Sequence, residues 1–284
     1  MSLSVLNNIA ALYAQNNLAS TQKNLQNTLT QLSSGSRINS GSDDAAGLAL
    51  ADGLHANVAA LNQSARNASD GIGLLQTADG ALSQVTNLLN RAVTLATQAA
   101  NGTLNNSQVS AANQEYQNIL SEIGNIGSST NFNGNAVFSS SATTIFVSDG
   151  TSSGATVFSD TTGALSTAHV GLNAAGTSVD FTATAVATLT ASTAQTVLTN
   201  LTSAIAGVAY QRGQIGANIN QLSAASSVAT SQSENLTSAE SSIRSTDYAT
   251  ATSELAKFQV LSQTGISALA QANQTQQQVL KLLQ

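Results

Sequence analysis

The sequence predicts a mainly α-helical protein, an elongated antiparallel helical rod of the coiled-coil type. We expect a pair of terminal helices at its ends and a small outer segment rich in β-hairpin. Three observations carry this prediction. Two long stretches, one in each half of the chain, repeat apolar residues at spacings of three and four. Both chain ends repeat apolar residues at helical spacing and contain few charged residues. Between the two long stretches lies a segment rich in Ser, Thr and Gly that has no helical periodicity.

The first long stretch covers residues 54–89 and reads as a heptad seam that only Asp79 and Thr86 interrupt. A helix of this length reaches roughly 50 Å, so it needs a partner along its whole length. Helices in globular proteins average about a dozen residues, which favours a rod over an ordinary bundle. The seam consists of Leu54, Val58, Leu61, Ala65, Ala68, Ile72, Leu75, Leu82 and Leu89.

The second long stretch is the expected partner of the first. It follows the same alternation of three and four, although several positions in register are polar, namely Arg212, Ser226, Ser233 and Glu240. Two such helices indicate an elongated antiparallel pair whose chain ends return to one end. The apolar positions are Leu198, Leu201, Ile205, Val208, Ile215, Ile219, Leu222, Ala229, Leu236 and Ile243.

Composition excludes several classes of function. The net charge of -6 argues against a nucleic-acid partner, and no apolar run approaches the roughly 20 residues of a membrane span. Only 8% of residues are charged, against about 25% in an ordinary domain, so the surface suits packing against copies of itself. The N-terminus has no basic region followed by an apolar core, and we therefore expect no cleaved secretory signal.

The remaining elements follow from turn chemistry and periodicity. A loop over residues 34–47 precedes the long helix, which Asn101 and Gly102 end near residue 100. A second helix is expected over about 107–126, weakened at its end by Gly124 and Gly127. Residues 143–147 and 155–158 read as a hairpin, and 179–183 as a further strand. The chain ends in helical segments over about 3–33 and 246–283.

Several motifs in fixed order resemble those of bacterial flagellin, the subunit of the flagellar filament. They cover roughly the first 135 and the last 85 residues, and matches of this length in this order are highly specific. Residues 6–18 lead into QLSSG at 31–35, RINS at 37–40 and DDAAGLA at 43–49. The others are LNQSARNASDGI at 61–72, QTADGAL at 76–82, IRSTDYA at 243–249, QANQ at 271–274 and QVLKLL at 278–283.

The resemblance implies a domain plan and an assembly function. Residues 1–42 with 244–284 would form the inner filament core, and 43–138 with 191–243 the rod-like middle domain. Residues 139–190 would form a β-rich variable outer segment, which we expect to be dispensable for polymerisation. The expected core positions are Leu6, Ile9, Leu25, Leu32, Leu255, Phe258, Leu269 and Leu283.

The resemblance also implies partners and a location. A member of this family would form a homopolymeric helical filament of the extracellular flagellum after type III export, with a cap, junction proteins and an export chaperone as partners. Arg91, Leu95 and Glu115 match a surface that contacts neighbouring subunits and, in many members, a vertebrate Toll-like receptor. Val93 and Thr94 replace charges common in the family, which weakens receptor binding. The alternative interpretation, of equal weight, is that Arg91 and Glu115 pair with each other on a solvated helix face.

We predict a structural protein and not an enzyme, with no catalytic, cofactor or metal site. Both histidines lack a second ligand at metal-binding spacing, and His55 reads as a surface or interface residue. The predicted function is self-assembly into the bacterial flagellar filament for swimming motility. Two alternatives remain: a hook–filament junction protein with similar termini, and a secreted adhesin acting through residues 139–190.

Overall fold

The fold is mainly α-helical, as predicted. A computed structural model describes residues 8–139, 143–149, 151, 156–160, 163, 165–167, 169–172, 178–181 and 187–282. The helices are α1 (Ile9–Ser34), α2 (Ala45–Ala100), α3 (Asn106–Ser129), α4 (Ala194–Arg244) and α5 (Tyr248–Leu282). The strands are β1 (Asn131–Phe132), β2 (Asn135–Ala136), β3 (Thr143–Val147), β4 (Thr156–Asp160), β5 (His169–Leu172) and β6 (Ser178–Asp180).

The strands form three separate antiparallel pairs: β1 with β2, β3 with β4, and β5 with β6. The predicted hairpin is present, with Ile145 opposite Phe158 in the register of β3 and β4. The turn between β1 and β2 places Asn133 and Gly134 at positive φ, 50° and 81°. Such a two-residue turn favours the Asn-Gly pair that the sequence supplies.

The chain divides into two compact units. Unit 1 contains residues 1–56 and 235–284, and unit 2 contains residues 57–234. Both units therefore contain parts of α2 and α4. Unit 1 includes the two predicted inner-core segments together with the start of α2 and the end of α4.

In unit 1, α1 packs against α5. The turn after α1 requires glycine at residue 35, where φ is 71°. This turn pairs with the segment between α4 and α5, since Thr246 N donates to Gly35 O (3.0 Å) and Arg37 N donates to Arg244 O (2.6 Å). Asp247 caps α5, and the hydrogen bond from Thr250 Oγ1 (2.8 Å) lowers the pKa of its carboxyl.

In unit 2, one row of the predicted α2 seam is confirmed and the other is displaced by one residue. Leu61, Ala68, Leu75, Leu82 and Leu89 are buried as expected. The second buried row consists of Ser64, Gly71, Ala78, Val85 and Ala92, and each of these residues precedes the position that the predicted spacing implies. In a heptad repeat, the second core position can follow the first after three residues or after four. In unit 2, packing buries the residue three positions after each member of the first row.

The same displacement occurs in the first half of α4. Leu201, Val208 and Ile215 are buried as predicted, but the second row there is Val197, Ala204 and Gln211, and not Leu198, Ile205 and Arg212. Further along, Leu222, Ala229 and Ser233 are buried in the predicted register. The described part of the chain leaves one buried side-chain nitrogen or oxygen without a hydrogen-bond partner, Gln211 Nε2.

Two of the three charged residues that seemed to interrupt the predicted seams, Asp79 and Arg212, pair with each other. Arg212 Nε lies 2.7 Å from Asp79 Oδ1, and Arg212 Nη2 lies 3.2 Å from Asp79 Oδ2. The two side chains are partly exposed, beside the buried rows. Asp79 and Arg212 therefore do not interrupt the buried rows; they lie beside them and form an ion pair between α2 and α4.

The described residues of segment 139–190 are partly buried in the core of unit 2, which was not expected. Ile145, Leu165 and Val170 belong to the same apolar cluster as the buried residues of α2, α3 and α4, as do Phe181 and Leu189. Gly124 and Gly127 do not end α3, which continues to Ser129. Instead, the absence of a side chain at Gly127 allows the backbone of Leu165 to approach the helix closely.

Candidate assembly surfaces

The helix pair of unit 1 exposes large apolar side chains. Along α1 only Thr28 is fully buried, while Ile9 and Tyr13 are 55% and 68% exposed. On α5, Val260 is 65% exposed, and Ile266 is also exposed. Exposed apolar side chains grouped on one unit mark an interaction surface. We call this the terminal-helix surface; its exposed apolar members are Ile9, Leu12, Tyr13, Leu29, Tyr248, Val260, Leu261 and Ile266.

The residues predicted to lie in the filament core fall into three groups. Ile9 is exposed on the terminal-helix surface. Leu6 and Leu283 lie outside the described residues. The remaining five are half-buried in unit 1: Leu25, Leu32, Leu255, Phe258 and Leu269.

Charge is scarce on this surface. Lys23 is the sole charged residue in the sequence of α1, and α5 contains Glu254, Lys257 and Lys281. Lys257 Nζ lies 5.7 Å from the centre of the Phe258 ring, so part of this small charge is held against an aromatic face. Covering such a surface therefore requires little desolvation of charge.

A second feature is the attachment of β3 to α2 in unit 2. Ser64 Oγ donates to Ser148 O (2.6 Å), and Ser148 N donates to Ser64 Oγ (2.8 Å). Asn67 Nδ2 donates to Phe146 O (3.0 Å). One turn further along, the Ile145 side chain packs where a side chain on residue 71 would lie.

The attachment leaves an open cleft of about 340 Å³ beside Phe146, an exposed aromatic side chain. Sequence reasoning missed the small and polar residues of α2 that hold the hairpin. In the sequence, Ser64, Asn67 and Gly71 belong to a family motif and resemble solvent-facing helix residues. Their contact partners lie some 75 to 85 positions away along the chain. The available signal was Gly71, one of several glycines within α2, since glycine lowers the stability of a helix and its presence there can have a packing reason.

Arg91, Leu95 and Glu115 do not form one exposed patch. Arg91 Nε and Nη2 lie 2.7 and 3.0 Å from the two carboxylate oxygens of Glu115, so the pair is bidentate and joins α2 to α3. The hydrogen bond from Arg91 lowers the pKa of Glu115, and the same bond raises the pKa of Arg91. Leu95 is 2% exposed and belongs to the core of unit 2, so its side chain is not presented to a partner.

His55 is exposed, as the sequence predicted for a surface residue, and lies beside Glu240 in unit 1. The described residues contain no group of three or more His, Cys, Asp or Glu side chains suited to holding a metal ion. Within the same part of the chain, no helix has both the length and the apolarity needed to cross a membrane.

Comparison with known families gives two matches. The family described as the bacterial flagellin N-terminal helical region matches residues 5–143. The family described as the bacterial flagellin C-terminal helical region matches residues 198–283. The two matches together cover most of the chain and include the residues of α1, α2, α3 and α5 that build the surfaces above.

Two of the relatives match nearly the full chain. The flagellin of Halalkalibacterium halodurans is 36% identical over 277 residues, which cover 97% of this chain and 98% of that protein. The flagellar filament 30.7 kDa core protein of Treponema maltophilum is 32% identical, over 97% and 98% of the two chains. The crystal structure of Bacillus cereus flagellin is 32% identical with a TM-score of 0.47, and it covers 62% of this chain and 94% of that one.

Proposed function

This chain belongs to the bacterial flagellin family, and from that premise we propose how its surfaces build a filament. The protein is a structural subunit of the bacterial flagellar filament, a polymer of many copies that serves motility, and it is not an enzyme. The terminal-helix surface is the principal contact between copies. The observation that carries this proposal is the exposure of large apolar side chains on α1 and α5 with almost no charge among them.

The free energy gained by burying the terminal-helix surface supports its assignment as the contact between copies. Full burial of a large apolar side chain stabilises by about 1.5–3 kcal/mol, so burying the exposed half of one gives roughly 1 kcal/mol. The eight exposed members of the surface together supply on the order of 10 kcal/mol. That is comparable with the 4–15 kcal/mol or so that association costs in lost motional freedom, before contacts from other surfaces are added.

The half-buried residues of the pair have a different role in this proposal. Leu25, Leu32, Leu255, Phe258 and Leu269 hold α1 and α5 together within one copy, while the exposed set faces neighbouring copies. Gly265 assists the pairing, since the Leu18 side chain lies 3.2 Å from where a Cβ on residue 265 would be. Residues 1–42 and 244–284 remain the proposed inner core, as the family resemblance implied.

The finer partners are proposals by family membership. We place the polymer outside the cell, with a cap, junction proteins and an export chaperone as partners during assembly. Recognition by a vertebrate Toll-like receptor is expected to be weak, because Arg91 and Glu115 already satisfy each other and Leu95 is buried. Uncharged Val93 and Thr94 offer no replacement anchor.

Seeded polymerisation tests the proposal. Val260→Asp places a charge on an exposed position of α5, so the monomer should keep its helicity and melting temperature. The variant should nevertheless fail to extend seeds, as seen by electron microscopy, because an unpaired carboxylate would be buried between copies. Val260→Thr is the matched control of equal shape, and it should still extend seeds. Normal filaments from Val260→Asp would show that this surface is not an interface.

A further inference from the structure

The open cleft beside Phe146 combines aromatic walls with a carboxylate. Phe132 and Phe146 supply the rings, Asp70 supplies the carboxylate from α2, and Leu74 and Ile145 complete the apolar lining. All these residues belong to unit 2, so the cleft lies within one compact unit. Its volume of about 340 Å³ is at the lower end of the range for pockets that hold small ligands, so it can receive a side chain of a partner.

Asp70 has no partner for its charge within the described part of the chain. Its carboxylate accepts no hydrogen bond and forms no ion pair there, and the residue is exposed. Arg66 lies one helical turn away, at the spacing at which opposite charges pair on a helix surface. The guanidinium of Arg66 is instead bonded to Gln63 Oε1, with Nε at 3.1 Å and Nη2 at 2.7 Å. The neighbouring cation on α2 therefore leaves the carboxylate of Asp70 open to a partner.

The same arginine helps to hold the aromatic wall of the cleft. Gln63 Nε2 donates to Asn67 Oδ1 (2.8 Å), and Asn67 Nδ2 donates to Phe146 O (3.0 Å). Arg66, Gln63 and Asn67 thus form a chain of hydrogen bonds that ends on the backbone of β3. The Phe146 side chain remains 52% exposed on the same cleft as Asp70. A cation between the two would be attracted by the face of the ring and by the charge of the carboxylate.

We propose that this cleft receives an arginine side chain of a neighbouring copy of the chain. A planar guanidinium can stack on an aromatic ring and bond a carboxylate through two N–H groups at once, which an ammonium group cannot do. A second copy is the partner because the chain is a subunit of a polymer, so this inference rests on the proposed function. The cleft is in unit 2 and is separate from the terminal-helix surface of unit 1.

Arg37 is the arginine that the neighbouring copy offers. Arg66 is held by Gln63, and three other arginines already pair with carboxylates of their own copy. Arg37 is exposed, and among the described residues its guanidinium meets a backbone carbonyl, Ile243 O at 3.0 Å from Nη2, and no carboxylate. Its charge is therefore free to pair with Asp70 of another copy. The three paired arginines are Arg91, Arg212 and Arg244.

The protein concentration needed to extend filament seeds measures this contact. Asp70→Asn removes the charge and keeps the size of the side chain, so the monomer should melt as before while the required concentration rises roughly 5- to 10-fold. Glu234→Gln is the matched control, because it neutralises another exposed carboxylate of unit 2 that lies on α4 and outside the cleft. This control should extend seeds as the natural protein does. Normal extension by Asp70→Asn, or an equal loss in both variants, would overturn the proposal.

A double-mutant cycle tests the assignment of Arg37. Arg37→Gln should raise the required concentration by a similar factor, and the double variant with Asp70→Asn should be no worse than either single variant. Effects that multiply in the double variant would overturn the pairing. If Val260→Asp filaments grew normally while Asp70→Asn was impaired, the terminal-helix surface would fail and the cleft contact would stand. The reverse pattern would refute the cleft contact alone.

Discussion

At the scale of single residues, adjacent positions of a long helix differ sharply in burial. Val85 is fully buried in α2, whereas the next residue, Thr86, lies at the flank of the buried row. Ala78 is buried and Asp79 turns outward to Arg212. A displacement of one residue is about 100° around a helix, so adjacent positions have different environments.

Carboxylate substitutions test this displacement. Val85→Asp should destabilise unit 2 by several kcal/mol, because it places a charge without a partner in a packed core. Thr86→Asp is the matched neighbour and should cost less than about 1 kcal/mol, since its side chain can reach solvent. Urea unfolding of both variants gives the comparison. Equal losses would mean that the predicted row, and not the displaced one, faces the core.

At the scale of elements, the β3–β4 hairpin and the other described residues of segment 139–190 pack as part of unit 2. The sequence predicts that this segment is dispensable for polymerisation, because it has no helical periodicity and carries no matched motif. The structure instead buries apolar residues from this segment among α2, α3 and α4. The attachment of β3 through Ser64 and Asn67 adds hydrogen bonds that a deletion would break.

Replacing residues 139–190 with a short Gly-Ser linker should therefore lower the melting temperature of unit 2 and expose apolar surface. Removal of Val170, Phe181 and Leu189 alone takes away three buried side chains, each contributing about 1.5–3 kcal/mol. Substituting Thr144 of β3, whose side chain is exposed, with Ser is the control and should leave melting nearly unchanged. Dye binding and calorimetry provide the readouts, and an unaltered melting curve after the full replacement would show that the segment does not stabilise unit 2.

The terminal helices differ from the helices of unit 2 in how little they bury. Within α1 the fully buried residue is Thr28, and among the described side chains of α5 the buried apolar residue is Ala251. Ordering a residue costs roughly 1–2 kcal/mol, so a thinly packed pair is stable only when further contacts compensate. Polymer neighbours would supply those contacts.

Hydrogen exchange should reveal this difference between monomer and filament. Amides of α1 and α5 should exchange quickly in the monomer and become protected in the filament, since local stability follows the number of buried contacts. Amides of α2 near Leu75 and Leu82, both fully buried, should be protected in both states and serve as the internal control. Strong protection of α1 and α5 in the monomer would contradict the coupling of their order to assembly.

At the scale of the whole molecule, the protein divides its tasks between two compact units. Unit 2 has a continuous apolar core that spans its helices and its strand segments. Unit 1 has a thin helix pair, an exposed apolar surface and a charged cluster around Glu240. Stability within one copy thus comes chiefly from unit 2, and the proposed contacts between copies come chiefly from unit 1.

The sequence by itself determined the helical class, the main hairpin, the low-charge termini and the family, because periodicity, turn residues and motif order are local properties. One row of each long seam was also predictable, as Leu75 and Leu222 show. Only the tertiary structure decided the second row of α2, since spacings of three and four satisfy the same heptad. It also decided that Ser64 and Gly71 face the core, because their partners are a backbone amide and an isoleucine far along the chain. Small and polar residues become core residues when a distant segment fills the space or meets the hydrogen bond, and that information is absent from local pattern.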